Sequence, residues 1–93
     1  KDKMKSLLLC LKFYTIGLHC NVCYHAHGSD CLAGKDTCLA SEDESCSTIS
    51  YYKGGKHLFS KHMCRPECKE QQFINEDELT VVMCCEKNLC NVF

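Results

Sequence analysis

Cys84-Cys85-Glu86-Lys87-Asn88-Leu89-Cys90-Asn91-Val92-Phe93 is the stretch that decides how the rest of the chain is read. Adjacent cysteines rarely bond to each other, because the eight-membered ring strains the peptide between them. Cys84 and Cys85 must therefore reach in different directions. Cys90 is near enough to close a small loop with Cys85, which leaves Cys84 for a partner far back in the chain. One short segment thus ties a long element to a compact knot.

Composition points the same way. The chain has 93 residues, 11 of them cysteine, with no Trp and a single proline, Pro66. One small domain is expected, too poor in aliphatic and aromatic residues to hold a fold by burial alone. Cross-links at roughly 2–4 kcal/mol each supply the difference, and they require an oxidising, secretory compartment. The start of the chain agrees. Lys1, Lys3 and Lys5 precede a mostly apolar run over Ser6–Ile16 that Lys12 interrupts, and the run is too short to span a membrane. This reads as a secretory signal over 1–17, cleaved after Gly17, with the domain over 18–93. Cleavage would remove Cys10 and leave an even ten cysteines. The remainder carries 7 basic and 11 acidic residues, a net of −4, so no basic face for nucleic acid is expected.

Along the domain, Cys20-Asn-Val-Cys23 opens a pair that could be redox-active, zinc-binding with Cys64, Cys68, His25 and His27, or part of a disulfide frame. Nothing helical follows it, and the oxidising context favours disulfides. His25, His27, His57 and His62 are then expected as solvated surface residues and not as ligands. Tyr24–Asp30 and Cys31–Cys38 read as a turn and a connector, and Ser41-Glu-Asp-Glu44 as a solvated acidic loop. Cys46–Tyr52 and His57–Cys64 form the clearest hairpin, turning at Lys53-Gly-Gly-Lys56. Two strands alone are marginal in water, so a third must pair with them. Leu79-Thr-Val-Val-Met83 is the best central strand, running straight into Cys84-Cys85. Cys68–Asn75 is polar apart from Phe73 and Ile74, and Glu76-Asp-Glu78 is a charged tip. Three loops are thrown out from one cysteine-dense base. No Asn-x-Ser/Thr acceptor occurs, and the residues after Cys90 offer neither spacer nor apolar tail for a lipid anchor. A released product is expected.

Ten cysteines allow on the order of 945 pairings, and spacing cannot choose among them. The order Cys20-x-x-Cys23, Cys31, Cys38, Cys46, Cys64, Cys68 and the ending Cys84-Cys85-x4-Cys90-Asn91 resemble the LU family of lymphocyte-antigen and urokinase-receptor domains, related to three-finger toxins. The resemblance implies a small all-β three-finger fold with pairs Cys20–Cys46, Cys23–Cys31, Cys38–Cys64, Cys68–Cys84 and Cys85–Cys90. It also implies that Asn91 ties the C-terminus to the base through its side chain. Cys46-Ser-Thr48, Lys56-His57, Ser60-Lys61, Met63-Cys64, Cys68-Lys-Glu70 and the Cys84–Asn91 ending look like the secreted prostate-and-testis-expressed group, in its seminal-vesicle, caltrin-like form. Membership there implies a seminal-fluid protein that binds sperm, restrains calcium uptake or capacitation, and modulates nicotinic acetylcholine receptors.

The expected function is a secreted binding module, with rigid fingers that lose little ordering entropy on docking. Tyr51, Tyr52, Lys53, Lys56, His57, Leu58 and Phe59 of the second finger are the expected contacts, since tyrosines beside a basic tip make good interface anchors. Part of that set must also pack the sheet. The partner is expected to be a sperm-membrane protein receptor or lipid head group, met by a monomer. An enzyme is not expected: with ten cysteines paired no thiol is free, and no G-x-S-x-G occurs. No cofactor or metal is expected. A tethered surface regulator of complement or adhesion is the alternative.

Overall fold

The computed structural model describes residues 17–93. The signal-peptide reading rests on 1–17 and so lies, apart from Gly17, outside the described residues. All secondary structure among those residues is antiparallel β: β1 Leu18–His27, β2 Asp30–Ala33, β3 Asp36–Ala40, β4 Glu44–Lys53, β5 Lys56–Pro66, β6 Gln71–Asn75 and β7 Glu78–Cys85. The strands lie in the order β2-β1-β5-β4-β7-β6, with β3 beside the first half of β1. Hairpins β1–β2, β4–β5 and β6–β7 are the three fingers of an all-β three-finger fold.

Several sequence expectations shift. Tyr24–Asp30 is not a turn as a whole: β1 runs on to His27, and only Gly28-Ser29 turn, with His27 opposite Asp30. Cys23 and Ala26 are buried in that strand, at the two positions where it pairs with β5. Cys31–Cys38 is not a plain connector either, for β2 and β3 both pair with β1, broken only at Gly34-Lys35. Gly34 takes φ +74, and a Cβ there would overlap the ring of Tyr24. Gln71–Asn75 is a strand despite its polar letters, because its backbone completes the edge of β7. β7 is interior, held between β4 and β6, but the middle pair of the sheet is β5 and β4. The second finger is the expected hairpin, longer at both ends. Its Gly54 and Gly55 take φ +58 and +80, as a two-residue hairpin turn requires.

Little hydrocarbon is buried. The buried apolar residues are Cys20, Cys23, Ala26, Ala40, Cys46 and Val82. Cys20, Ala40 and Cys46 form the central cluster, flanked by Leu18, Cys38, Cys64, Cys85 and Cys90. Sulfur therefore takes the place of side-chain carbon at the base. Disulfides join Cys20–Cys46, Cys23–Cys31, Cys38–Cys64, Cys68–Cys84 and Cys85–Cys90.

The C-terminal segment closes the base. β3 occupies one edge of β1 over Leu18–Val22, and β5 meets the other edge only from Cys23 onward. The open backbone between is filled from the C-terminus. Asn88 Oδ1 accepts from His19 N–H at 2.8 Å, and Leu89 N–H donates to the His19 carbonyl at 2.7 Å. Asn91 accepts from Asn21 N–H at 2.8 Å and donates to the carbonyls of Asn21 and Ser47 at 2.9 and 3.1 Å. Two strands are thus joined through one buried amide.

Candidate functional site

The residues expected to make contacts do not form one surface. Tyr51 pairs with Phe59 and Tyr52 with His57, which leaves Leu58 as an extra residue on β5. This bulge reverses the alternation of β5, since side chains one register step apart point to opposite faces. On one face Phe59 stacks on Tyr51 at 4.6 Å and on His25 of β1 at 4.7 Å. The Lys61 ammonium lies 5.9 Å from the centre of the Tyr51 ring. On the other face His57 meets the edge of Tyr52 at 5.3 Å. Its Nε2 lies 2.7 Å from Ser60 Oγ, which is itself 2.9 Å from Ser50 Oγ. Tyr51, Tyr52, His57 and Phe59 are half-buried against these neighbours. Lys53, Lys56 and Leu58 are exposed and form the accessible tip.

The acidic tip of the third finger lies alongside. Lys53 pairs in register with Glu78, and Gly54 N–H donates to the Asp77 carbonyl at 2.9 Å. The two tips therefore present Lys53 and Lys56 next to Glu76, Asp77 and Glu78. A partner meeting this edge faces both signs of charge within a few residues.

The histidines differ from the solvated set expected. His25 and His27 are exposed, and His57 is half-buried. His62 is 2% exposed, which overturns its reading as a surface residue. Its Nδ1 lies 3.1 Å from the Asn91 carbonyl and 3.2 Å from Thr48 Oγ1, and Phe93 meets the ring edge-on at 4.8 Å. A carbonyl only accepts, so Nδ1 carries the proton. Burial pushes the His62 pKa below 6.5, and the bond to Asn91 opposes that shift only in part. The sulfurs of Cys20, Cys38 and Cys64 lie within 4.8 Å of one another. All three are held in disulfides, and a disulfide sulfur is not the thiolate that binds metal.

The sequence reading also passed over the outer strand of the third finger. Phe73 and Ile74 are 55% and 75% exposed on β6. Their adjacency was the available signal: neighbours on a strand point to opposite sides, so both can be buried only in a strand covered on both faces.

Comparison with known proteins gives the following. The family described as u-PAR/Ly-6 domain matches residues 16–93. Prostate and testis expressed protein 4 of Mus musculus is 46% identical over 89 residues, covering 94% of this chain and 90% of the relative. Prostate and testis expressed protein 14 of Rattus norvegicus is 30% identical over 92 residues, covering 94% and 93%. Acrosomal protein SP-10 of Homo sapiens is 26% identical over 76 residues, which are 80% of this chain but only 29% of that longer protein. No solved structure matches. With a family match across the whole described domain, and five disulfides that hold three β-hairpins to one base, this chain belongs to the u-PAR/Ly-6 family.

Proposed function

We propose that this chain is a secreted, non-enzymatic binding protein that docks on the sperm surface and restrains calcium uptake and capacitation, with a nicotinic acetylcholine receptor as one route. The observation that carries this reading is the 46% identity, over 94% of the chain, to Prostate and testis expressed protein 4. The likeness to Acrosomal protein SP-10 supports the link to sperm. Every cysteine among the described residues is in a disulfide, which leaves no thiol there to act as a nucleophile. The contact is assigned to the tip of the second finger, through Lys53, Lys56 and Leu58, with Tyr51, Tyr52, His57 and Phe59 as the packed support beneath. A net charge of −4 over 18–93 makes avid binding to anionic lipid unfavourable, so a protein receptor with acidic groups facing the two lysines fits better.

The test is binding of labelled protein to live sperm, with calcium entry followed by a fluorescent indicator. The double variant Lys53→Glu/Lys56→Glu is expected to bind about tenfold more weakly or worse, with unchanged thermal unfolding, because both side chains are exposed. Equal binding by variant and parent would take the second finger out of the reading. Release of the native protein from cells by a lipid-anchor phospholipase would replace secretion with tethering.

A further inference from the structure

β6, Gln71-Gln-Phe-Ile-Asn75, is the last strand of the sheet, with β7 on one side and no strand on the other among the described residues. All five of its residues are exposed, Ile74 most of all at 75%. The turn that follows, Glu76-Asp77, is two residues long, so the flanking pair Asn75 and Glu78 exchanges both backbone hydrogen bonds and the pattern alternates from there. Asn75, Phe73 and Gln71 bond to β7. Gln72 and Ile74 therefore turn their N–H and C=O groups to the outer edge. Sheet edges are blunted by charge, proline or a bulge. β6 has none of these: it carries no charged residue and no proline, and its register with β7 is unbroken. β2, at the other end of the sheet, opens on Asp30 and pairs across a register shift.

A bare edge of this kind takes another strand. The residues around it fit a second copy of itself. β6 starts beside Lys69-Glu70, which carry no net charge, and ends in the acidic Glu76-Asp77-Glu78. Parallel copies would lay the two acidic turns together. Antiparallel copies hold them roughly 17 Å apart, the length of five strand residues, and put a lysine of one copy at the acidic end of the other. We propose that β6 pairs antiparallel with β6 of a second copy, with Phe73 opposite Phe73 on a two-fold axis. Gln72 of each copy then lies opposite Ile74 of the other, so the outward backbone groups of both strands meet partners. Gln72 also lines a shallow cleft with Glu70, Gln71, Val81, Val82 and Met83, which offers Ile74 of the other copy an apolar neighbourhood. Both copies use the same edge, so the contact closes as a dimer and does not propagate. It points the two sets of fingertips in opposite directions. A dimer thus bridges two surfaces, one second-finger tip at each end, where a monomer meets one. The pairing does not depend on which partner the second finger takes.

Sedimentation velocity of the disulfide-intact protein over a range of concentration tests this. Monomer is expected at micromolar and dimer at millimolar concentration, because a five-residue edge is a small interface. Gln72→Pro removes an outward N–H and no bond to β7, so it should fold like the parent and sediment as monomer throughout. Ile74→Lys should do the same. Amide hydrogen exchange of the unmodified protein identifies the edge without any substitution. The amides of Gln72 and Ile74 should slow about tenfold between micromolar and millimolar protein, while that of Phe73, already bonded to β7, should hardly change. A chain that stays monomeric at millimolar concentration, concentration-dependent protection confined to other strands, or a folded Gln72→Pro variant that dimerises like the parent would overturn the pairing. Protection of Gln72 and Ile74 that appears only on adding sperm-membrane extract would give the edge to a different protein and overturn it equally.

Discussion

Asn91 shows how much one amide does where a hydrophobic core is missing. It is 3% exposed and satisfies groups on β1 and β4 together. Asn91→Ala should cost about 2–4 kcal/mol, since three hydrogen bonds go and buried backbone groups are left unpaired. A lowered urea midpoint with unchanged slope would show it. The role of this residue could be anticipated because it follows Cys90 in a recognisable ending. His62 could not be anticipated in the same way. Nothing in Ser60-Lys-His62 marks a polar side chain as buried, and only the pairing of β5 between β1 and β4 puts it inside. Its lowered pKa has a definite consequence. The unfolded chain takes up the proton first, near pH 6.5, so stability is complete above that value. It is lost progressively as pH falls through 6.5 towards the lower folded value. Denaturation midpoints should therefore drop between about pH 7.5 and about pH 5, and His62→Gln should show a smaller drop. An equal drop in the variant would assign the effect to other groups.

At the level of strands and turns, local chemistry spoke clearly wherever glycine pairs or β-branched runs occurred. Lys53-Gly-Gly-Lys56 marks the second turn, and Leu79–Met83 marks an interior strand. What local chemistry could not convey was parity. The bulge at Leu58 turns His57 and Phe59 to opposite faces, so residues that looked like one contact surface became two packed faces and a tip. β2, β3 and β6 were missed for a related reason: each is only four or five residues long and exists because a longer neighbour offers a free edge. Gly34 is the most constrained point of the first finger, having both a left-handed backbone and the Tyr24 ring against it. Gly34→Ala should cost about 1–3 kcal/mol by combining that backbone with the overlap. Gly28→Ala, with open space around it, should cost less. Thermal unfolding of the two variants checks the order.

For the molecule as a whole, covalent bonds decide whether there is a fold at all. The three-finger class was legible from cysteine density and from the Cys84–Asn91 ending, whereas the pairing lay beyond spacing and needed a family pattern. The Cys20–Cys46 bond closes 26 residues and both its cysteines are fully buried, while Cys85–Cys90 closes only 5. On chain entropy alone, losing the first should cost roughly 3–4 kcal/mol and losing the second about 2. Paired Cys→Ser replacements should reproduce that order in their denaturation midpoints, with the gap widened by the hydroxyls newly placed in the base. One small bond outside this frame carries further. Because Gly54 N–H holds the Asp77 carbonyl, the second and third fingertips are latched along their whole length. They must swing as one paddle, and a pull on either is felt by the other. The first finger joins this paddle over a shorter seam, Cys23–Ala26 of β1 against Ser60–His62 of β5, so a force applied to the molecule is shared least evenly across that border.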